Sequence, residues 1–495
     1  MLVVGGGITG AGVALDAASR GWRTALVERA DFGSGTSSQS SKLVHGGLRY
    51  LSQGDYGLVA QALAERQRLL RNAAHLVRPL PFLVPSYGSR ARMRAVGTAL
   101  WMYDLAGGAR IGRLHRRLSV REATLHTPSL RTEGLVGAHL YLDAQTDDAR
   151  LTLAVVRTAV LDHRAVAANH VTVNGLITGP DGVVRGVDVT ADGRELDVRA
   201  SVVVNAAGVW AGQLGGDGVP PIRPAKGVHV TVPAELVRTD VALVLAVPGD
   251  GRSIFVVPWP GADRVYVGTT DTDYEGPLDR PTCTAQDTRY LLDAVNSALA
   301  TTLTPDNVVG AWAGLRPLVA GAPSERSADL SRRHRVTRGR DGLVTVTGGK
   351  LTTYRAMAAD TVDEVEAALG RGRRPSRTAR LALRGATPGA PDGHLAGRYG
   401  TEGRVVEALM VGDPSLAGPL VPGLPYLRAD AVYAARYEMA RTLDDVLARR
   451  TRALILDRAA SMGAAPDAAR LLAPELGWSD SETAAQVDAY CASAA

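Results

Sequence analysis

The chain has 495 residues, too many for one hydrophobic core, so two or three domains are expected. Apolar residues make up 45% of it and mean hydropathy is near zero. No run reaches the roughly 18 apolar residues that cross a bilayer, and there is no cleavable signal at the N-terminus. The net charge of +6 has no recognition motif beside it, which argues against nucleic acid and leaves anionic substrates, cofactor phosphates, a lipid surface or plain compositional bias.

Met1 is followed almost at once by glycines. LVV leaves three or four residues for a first strand, so either a few residues precede Met1 or the strand is unusually short. GGGITG then opens a helical AGVALDAASRG, and TALVE is a buried strand, giving a βαβ unit. Residues 56 to 73 have the spacing of an amphipathic helix. Residues 90 to 117 carry seven arginines and one acid, Asp104, around an apolar-aromatic middle. That segment is expected either to lie on an anionic membrane, anchored by Trp101 and Tyr103, or to be a solvated surface helix. A helix and the strand VVVNAAG follow across residues 150 to 210. Residues 225 to 270 read as short antiparallel strands. From Gly342, strand, glycine turn and long helix return. Residues 371 to 391, basic and then Gly/Pro/Ala-rich, are the best linker candidate, and the remainder is mostly helical. Cys283 and Cys491 are too far apart for a disulfide framework or a metal cluster, which fits a cytoplasmic protein without metal.

Gly5, Gly7 and Gly10 satisfy GxGxxG between a strand and a helix, where a pyrophosphate can sit on the helix N-terminus. Glu28 ends the second strand at about the 20-residue spacing from which an acid binds ribose hydroxyls. FAD is favoured over NAD by the Ser/Thr-rich run TSSQSSK, by the small-residue turn after VVVN, and by VTGGK (Val346 to Lys350). A site assembled from residues near 5, 205 and 350 implies a discontinuous FAD domain.

The blocks GGGITGAG, TSSQSSKLVHGGLRYL, VNAAGVW, KGVHV, VGTTDTDY, GLRPL, GGKLTTYR and EMARTLDDVLARRTRALILD occur in an order that resembles the FAD-dependent glycerol-3-phosphate dehydrogenases, within the amine-oxidase-like (D-amino-acid oxidase type) flavoproteins. The resemblance implies an α/β fold: a glutathione-reductase-type discontinuous Rossmann domain, a substrate domain containing a β-sheet, and an all-α C-terminal domain. It places FAD-binding segments at about 1–75, 145–215 and 330–375, substrate-binding segments at about 76–144 and 216–329, and the helical domain at 376–495. It implies non-covalent FAD held by Gly5, Gly6, Gly7, Gly10, Glu28, Arg29, Thr36, Ser37, Ser40, Ser41, Lys42, Val173, Ala207, Gly208, Gly349, Lys350, Leu351 and Thr352. The implied reaction is oxidation of sn-glycerol 3-phosphate to dihydroxyacetone phosphate by hydride transfer to flavin N5, with electrons passed to membrane quinone. Peripheral attachment to the inner face of the cytoplasmic membrane and a homodimer are further expectations.

A substrate with a phosphate dianion and a secondary alcohol needs cations and a base. Arginine suits phosphate because its planar fork donates two parallel hydrogen bonds. Arg49 and Arg316 are the first choices, Lys350 adds a point charge or stabilises reduced flavin, and Arg355 is either a further contact or structural. His45 and His229 are the candidate bases, His45 preferred because Gly46 and Gly47 let its backbone lie against the ring. His45, Arg316 and Lys350 form the expected catalytic set, and Thr269, Thr270 and Asp271 are placed to orient substrate hydroxyls. The alternatives are a glycerol-3-phosphate oxidase that uses oxygen, a flavin amine or amino-acid oxidase, and a flavin-binding scaffold without turnover.

Overall fold

The computed structural model describes residues 1–51, 54–319, 333–387, 389 and 393–494, with the Arg49 side chain excepted. Six strands form one sheet in the order His334–Arg338, Val344–Gly348, Val203–Asn205, Leu2–Val4, Ala25–Val27, Val166–Ala168. All neighbours are parallel except the first pair. The central strands are short and mostly apolar, with LVV at Leu2–Val4 and VVN at Val203–Asn205, because both faces are covered. The helices Ile8–Ser19, Asp148–Leu161 and Tyr354–Ala368 pack on one face through Ile8, Leu151, Val155, Met357 and Val362. A three-stranded antiparallel meander (Val171–Thr178, Val184–Ala191, Arg194–Arg199) covers the other, with Val171, Val187 and Val189 against Leu2, Val4 and Val27. Parallel pairing sets the turns after Val4, Asn205 and Gly348 side by side at the carboxyl edge, where ligands bind in open α/β sheets.

The second sheet has ten strands among the described residues and is largely antiparallel. Ile222–Pro233, Arg264–Gly268, Ser253–Pro258 and Gly310–Val319 form one half; Val77–Tyr87 and Leu135–Thr146 form the other. Both faces of this sheet are buried too. Helix Ala285–Asn296 packs on one through Leu291, Leu292 and Val295. The C-terminal region covers the other through Tyr426, Leu443, Val446, Ile455 and Leu472. That region is helical, with Arg428–Tyr437, Arg458–Leu476 and Asp480–Ala494 as its main elements.

Two expectations change. The linker candidate is docked between residues 374 and 383. Thr378 Oγ1 donates to the buried Asp16 (2.9 Å), the amide of Arg374 donates to Glu366 (2.8 Å), and Leu383 joins the first core. Buried carboxylates need donors, and this segment supplies them. Tyr103 is not a surface anchor: it is 1% exposed, and its hydroxyl donates to Asp143 (2.6 Å) while accepting from the Gly46 amide (2.9 Å). Trp101, on the same helix (Arg90–Leu105), is 53% exposed.

Candidate active site

The glycine turn has the shape a dinucleotide demands. Gly5 sits at φ +106°, and a Cβ on Gly10 would lie 1.9 Å from the Gly5 carbonyl oxygen, so only glycine lets helix and turn close up. Gly7 brings no side-chain cap of its own, and Ser37 Oγ takes only the Ile8 amide (2.8 Å), so the rest of the helix N-terminus is left to favour an anion. Glu28 accepts from the amides of Gly6 (2.6 Å) and Ala30 (3.0 Å), while burial pushes its carboxyl above the usual range. Val173 packs beside Val4 and Val27. Gly208, at φ +59°, faces open space, and Ala206 lies against Gly5. Leu351–Thr353 form a turn leading into helix Tyr354–Ala368, and Gly349 at φ +79° packs on Met357. These features fit FAD: a glycine turn closed tightly on the helix start, open space at Gly208, and an acid at the second strand's end.

The Ser/Thr run behaves differently from the expectation. Thr36 Oγ1 donates to the Leu315 carbonyl (2.6 Å), and Ser37 Oγ accepts from the Ile8 amide (2.8 Å). Ser40 Oγ donates to Asp148 (2.7 Å), and Ser41 Oγ pairs with His229 Nε2 (2.9 Å). Lys42, expected at the cofactor, is 1% exposed; its ammonium contacts both oxygens of Asp148 at 3.2 Å and lies 4.5 Å above the Trp312 ring. A buried ammonium needs a carboxylate, and Asp148 is the one it reaches. Arg29 points outward to pair with Asp279 and stack on Trp210.

At the junction of the two sheets, the HGG turn meets the GGK turn. The His45 amide donates to Thr352 Oγ1 (3.2 Å), and the His45 ring meets Phe255 edge-on at 6.3 Å. The Lys350 ammonium lies 3.7 Å above the Tyr50 ring, over Gly47. Arg316 is held by Asp271 (3.1 Å), by Thr269 Oγ1 and by the Thr270 carbonyl (both 3.2 Å). A Cβ on Gly227 would come within 2.5 Å of that guanidinium, so the glycine keeps its place open. The turn Leu48–Leu51 carries Arg49, whose side chain lies outside the described residues.

Three expected substrate contacts face elsewhere. His229 is 2% exposed and stacked on Trp312 (4.7 Å, 7° between planes). Burial, with Lys42 and Arg316 nearby, holds its imidazole well below the ordinary value, so it is neutral. Thr270 is 3% exposed, and its hydroxyl accepts from the Val228 amide (3.0 Å). Arg355 gives its fork to Glu65 (2.7 and 2.8 Å). Sequence reasoning passed over Tyr50, Phe255, and the brace beneath the HGG turn, where Arg66 pairs with Asp143 (2.6 Å) under Tyr103. The signal for the brace was an aspartate inside the apolar strand LVGAHLYLDAQT.

Comparison with known proteins agrees with this architecture. Residues 1–355 match the family described as FAD dependent oxidoreductase, and residues 365–483 match the C-terminal domain of alpha-glycerophosphate oxidase. The chain is 40% identical to glycerol-3-phosphate dehydrogenase 2 of Mycobacterium tuberculosis, over 99% of this chain and 86% of that protein. It is 37% identical to the mitochondrial glycerol-3-phosphate dehydrogenase of Mus musculus, over 97% and 71%. The solved glycerol-3-phosphate dehydrogenase of Bacillus halodurans complexed with FAD superposes with a TM-score of 0.81 at 31% identity, covering 100% of this chain and 94% of that one.

Proposed function

The chain belongs to the family of FAD-dependent glycerol-3-phosphate dehydrogenases, and from that premise we propose that it oxidises sn-glycerol 3-phosphate to dihydroxyacetone phosphate and delivers the electrons to membrane quinone. The observation that carries this reading is the convergence of Lys350, Tyr50 and His45 where the HGG and GGK turns meet, beside the FAD-cradling edge. Bound FAD supplies the two-electron acceptor for the hydride that leaves C2.

The chain's own groups do the rest. Arg316, pre-oriented by Asp271 and Thr269, supplies the phosphate's cation; Arg49, the other first choice, has its side chain outside the described residues. Lys350 adds positive charge where negative charge develops. His45, tethered through its backbone to Thr352, takes the hydroxyl proton. His229 acts from behind, as a neutral ring packed under Ser41, and touches no substrate.

Helix Arg90–Leu105 supports contact with an anionic membrane on the cytoplasmic side. It presents Trp101, Met102 and Leu105, the last 83% exposed, beside Arg90, Arg92 and Arg94. Among the described residues no helix is long and apolar enough to cross a membrane. The deciding experiment is anaerobic addition of glycerol 3-phosphate to the purified holoenzyme. The flavin's visible absorbance should bleach, and its persistence would end the dehydrogenase reading. Stoichiometric peroxide on re-aeration during turnover would replace quinone by oxygen. Salt-insensitive absence from phosphatidylglycerol vesicles on sedimentation would remove the membrane contact.

A further inference from the structure

The block from Glu438 to Asp457 is where the helical C-terminal region meets the rest of the protein. Most of its charged groups make plain docking pairs: Glu438 with Arg150 (2.6 Å), Arg450 with both oxygens of Asp31, and Asp457 with Arg264 (2.7 Å). Arg452 is different. It is 1% exposed and sits in the left-handed region at φ +64°, a costly place for a residue with a side chain. Its guanidinium donates to the Ser38 carbonyl, to Asp148 Oδ1 (3.2 Å) and to the Ala448 carbonyl (3.1 Å).

Asp148 passes that hold onward. It accepts from the Ser40 amide (3.0 Å), the Ser40 hydroxyl and the Lys42 ammonium. The Ser40 carbonyl accepts from Trp312 Nε1 (3.2 Å), and Lys42 lies over the same indole. Two structures leave this knot. The segment runs through the two-residue strand Leu43–Val44 directly into His45. Trp312 stands four residues from Arg316 on one strand, hence on the same face of the sheet. The chain just after Arg452 braces the start of the Trp312 strand and its neighbour Ile222–Pro233: the Ile455 carbonyl accepts from Thr231 Oγ1 (2.7 Å), and the Arg458 amide donates to the Val309 carbonyl (2.8 Å).

We infer that Arg452 is a positioning residue for the reaction: from the C-terminal region it fixes, through Ser38, Asp148 and Trp312, the distance between the segment leading to His45 and the strand carrying Arg316. The inference rests on the roles proposed above for His45 and Arg316. It gives the C-terminal region a part in turnover beyond packing, since the buried arginine holds two active-site elements in register rather than merely joining two surfaces.

The test uses full-length holoenzyme. Arg452→Met should keep FAD stoichiometry while flavin reduction by glycerol 3-phosphate, followed by anaerobic stopped flow, slows between about 10- and 100-fold, the scale of a misplacement near 1 Å. Reduction within twofold of wild type would overturn the inference. If that variant fails to accumulate, Arg452→Lys keeps the charge beside Asp148 but not the fork. It should still slow reduction at least about threefold, and an unchanged rate is equally fatal. A merely structural role is separated by a cycle with Trp312→Phe, which removes the bond to Ser40. The two effects on the reduction rate should be non-additive, and additivity would overturn the claim. Wild-type enzyme that does not bleach sinks the proposed reaction instead, a failure visible before any variant is made.

Discussion

Replacing Gly47 by alanine probes the site where the HGG turn meets Tyr50 and Lys350. Gly47 has φ +79°, and a Cβ there would stand 2.4 Å from Tyr50 Cδ2 and 3.2 Å from the Lys350 ammonium. Carbon atoms pack at about 3.5–4.0 Å, so the Tyr50 ring must retreat by roughly 1 Å, carrying with it the face on which Lys350 rests. The left-handed backbone adds about 1–2 kcal/mol of strain for any residue with a side chain. Strain alone would lower Tm by about 1–2 °C in a chain of this size and leave catalysis intact. Displacement of Lys350 would instead cost transition-state stabilisation, and a shift near 1 Å corresponds to as much as about 100-fold in rate. The expected result is therefore a fall in kcat/KM of about 10- to 100-fold, or about 1.4–2.7 kcal/mol, with FAD content unchanged. Steady-state kinetics with flavin absorbance as the loading control reads both. A lowered Tm with kcat/KM within twofold of wild type would refute the placement of Lys350 and Tyr50 at the substrate.

Gly10→Ala should lose FAD rather than catalytic power, because the new methyl meets the Gly5 carbonyl oxygen at 1.9 Å and forces the helix off the turn; a normally yellow purified protein would contradict this. His45→Ala should slow flavin reduction at least about 100-fold, and a near-normal stopped-flow rate would take the base role away from His45. His75 tests stability. It is 2% exposed, and burial, with Arg150 nearby, lowers its pKa from 6.5 to about 4. Between those values the unfolded chain binds a proton that the folded chain does not, so stability falls as pH drops through the window, by as much as about 3 kcal/mol. In His75→Gln, urea denaturation at pH 7 and pH 4.5 should show a shallower loss; an identical slope would exclude His75 as the source.

The glycine turn is legible in the sequence because its demands are local. Gly5 needs positive φ, Gly10 needs contact with residue 5, and both partners lie within one βαβ unit. The antiparallel character of residues 225 to 270 is legible for the same reason, since the alternation of Val228, Val230 and Val232 with His229 and Thr231 repeats every second residue. Hydroxyls carry no such address. Ser37 and Ser41 are near neighbours in a uniform run, yet one serves the Ile8 amide and the other His229, 188 residues away. A run of serines marks a place where backbone and side chains need small donors, without saying whose.

Charge is harder still to read, because a cation's partner decides its meaning. Lys42, Lys350, Arg316 and Arg355 look alike as phosphate ligands in one dimension. Folding gives Lys42 to Asp148 and Arg355 to Glu65, both buried acids whose desolvation would be prohibitive alone. Arg316 is held too, but by Asp271 and Thr269 on the second sheet, with its guanidinium part-exposed and Gly227 leaving room beside it. How far a cation is committed to the fold is thus set by how deep its pair lies, a property of packing that no spacing in the chain encodes. The same logic explains why His45 and His229 separate. One stands where two glycine turns meet and is only partly buried; the other, equally embedded in a family block, is sealed between Trp312 and Ser41 and does its work as a neutral ring.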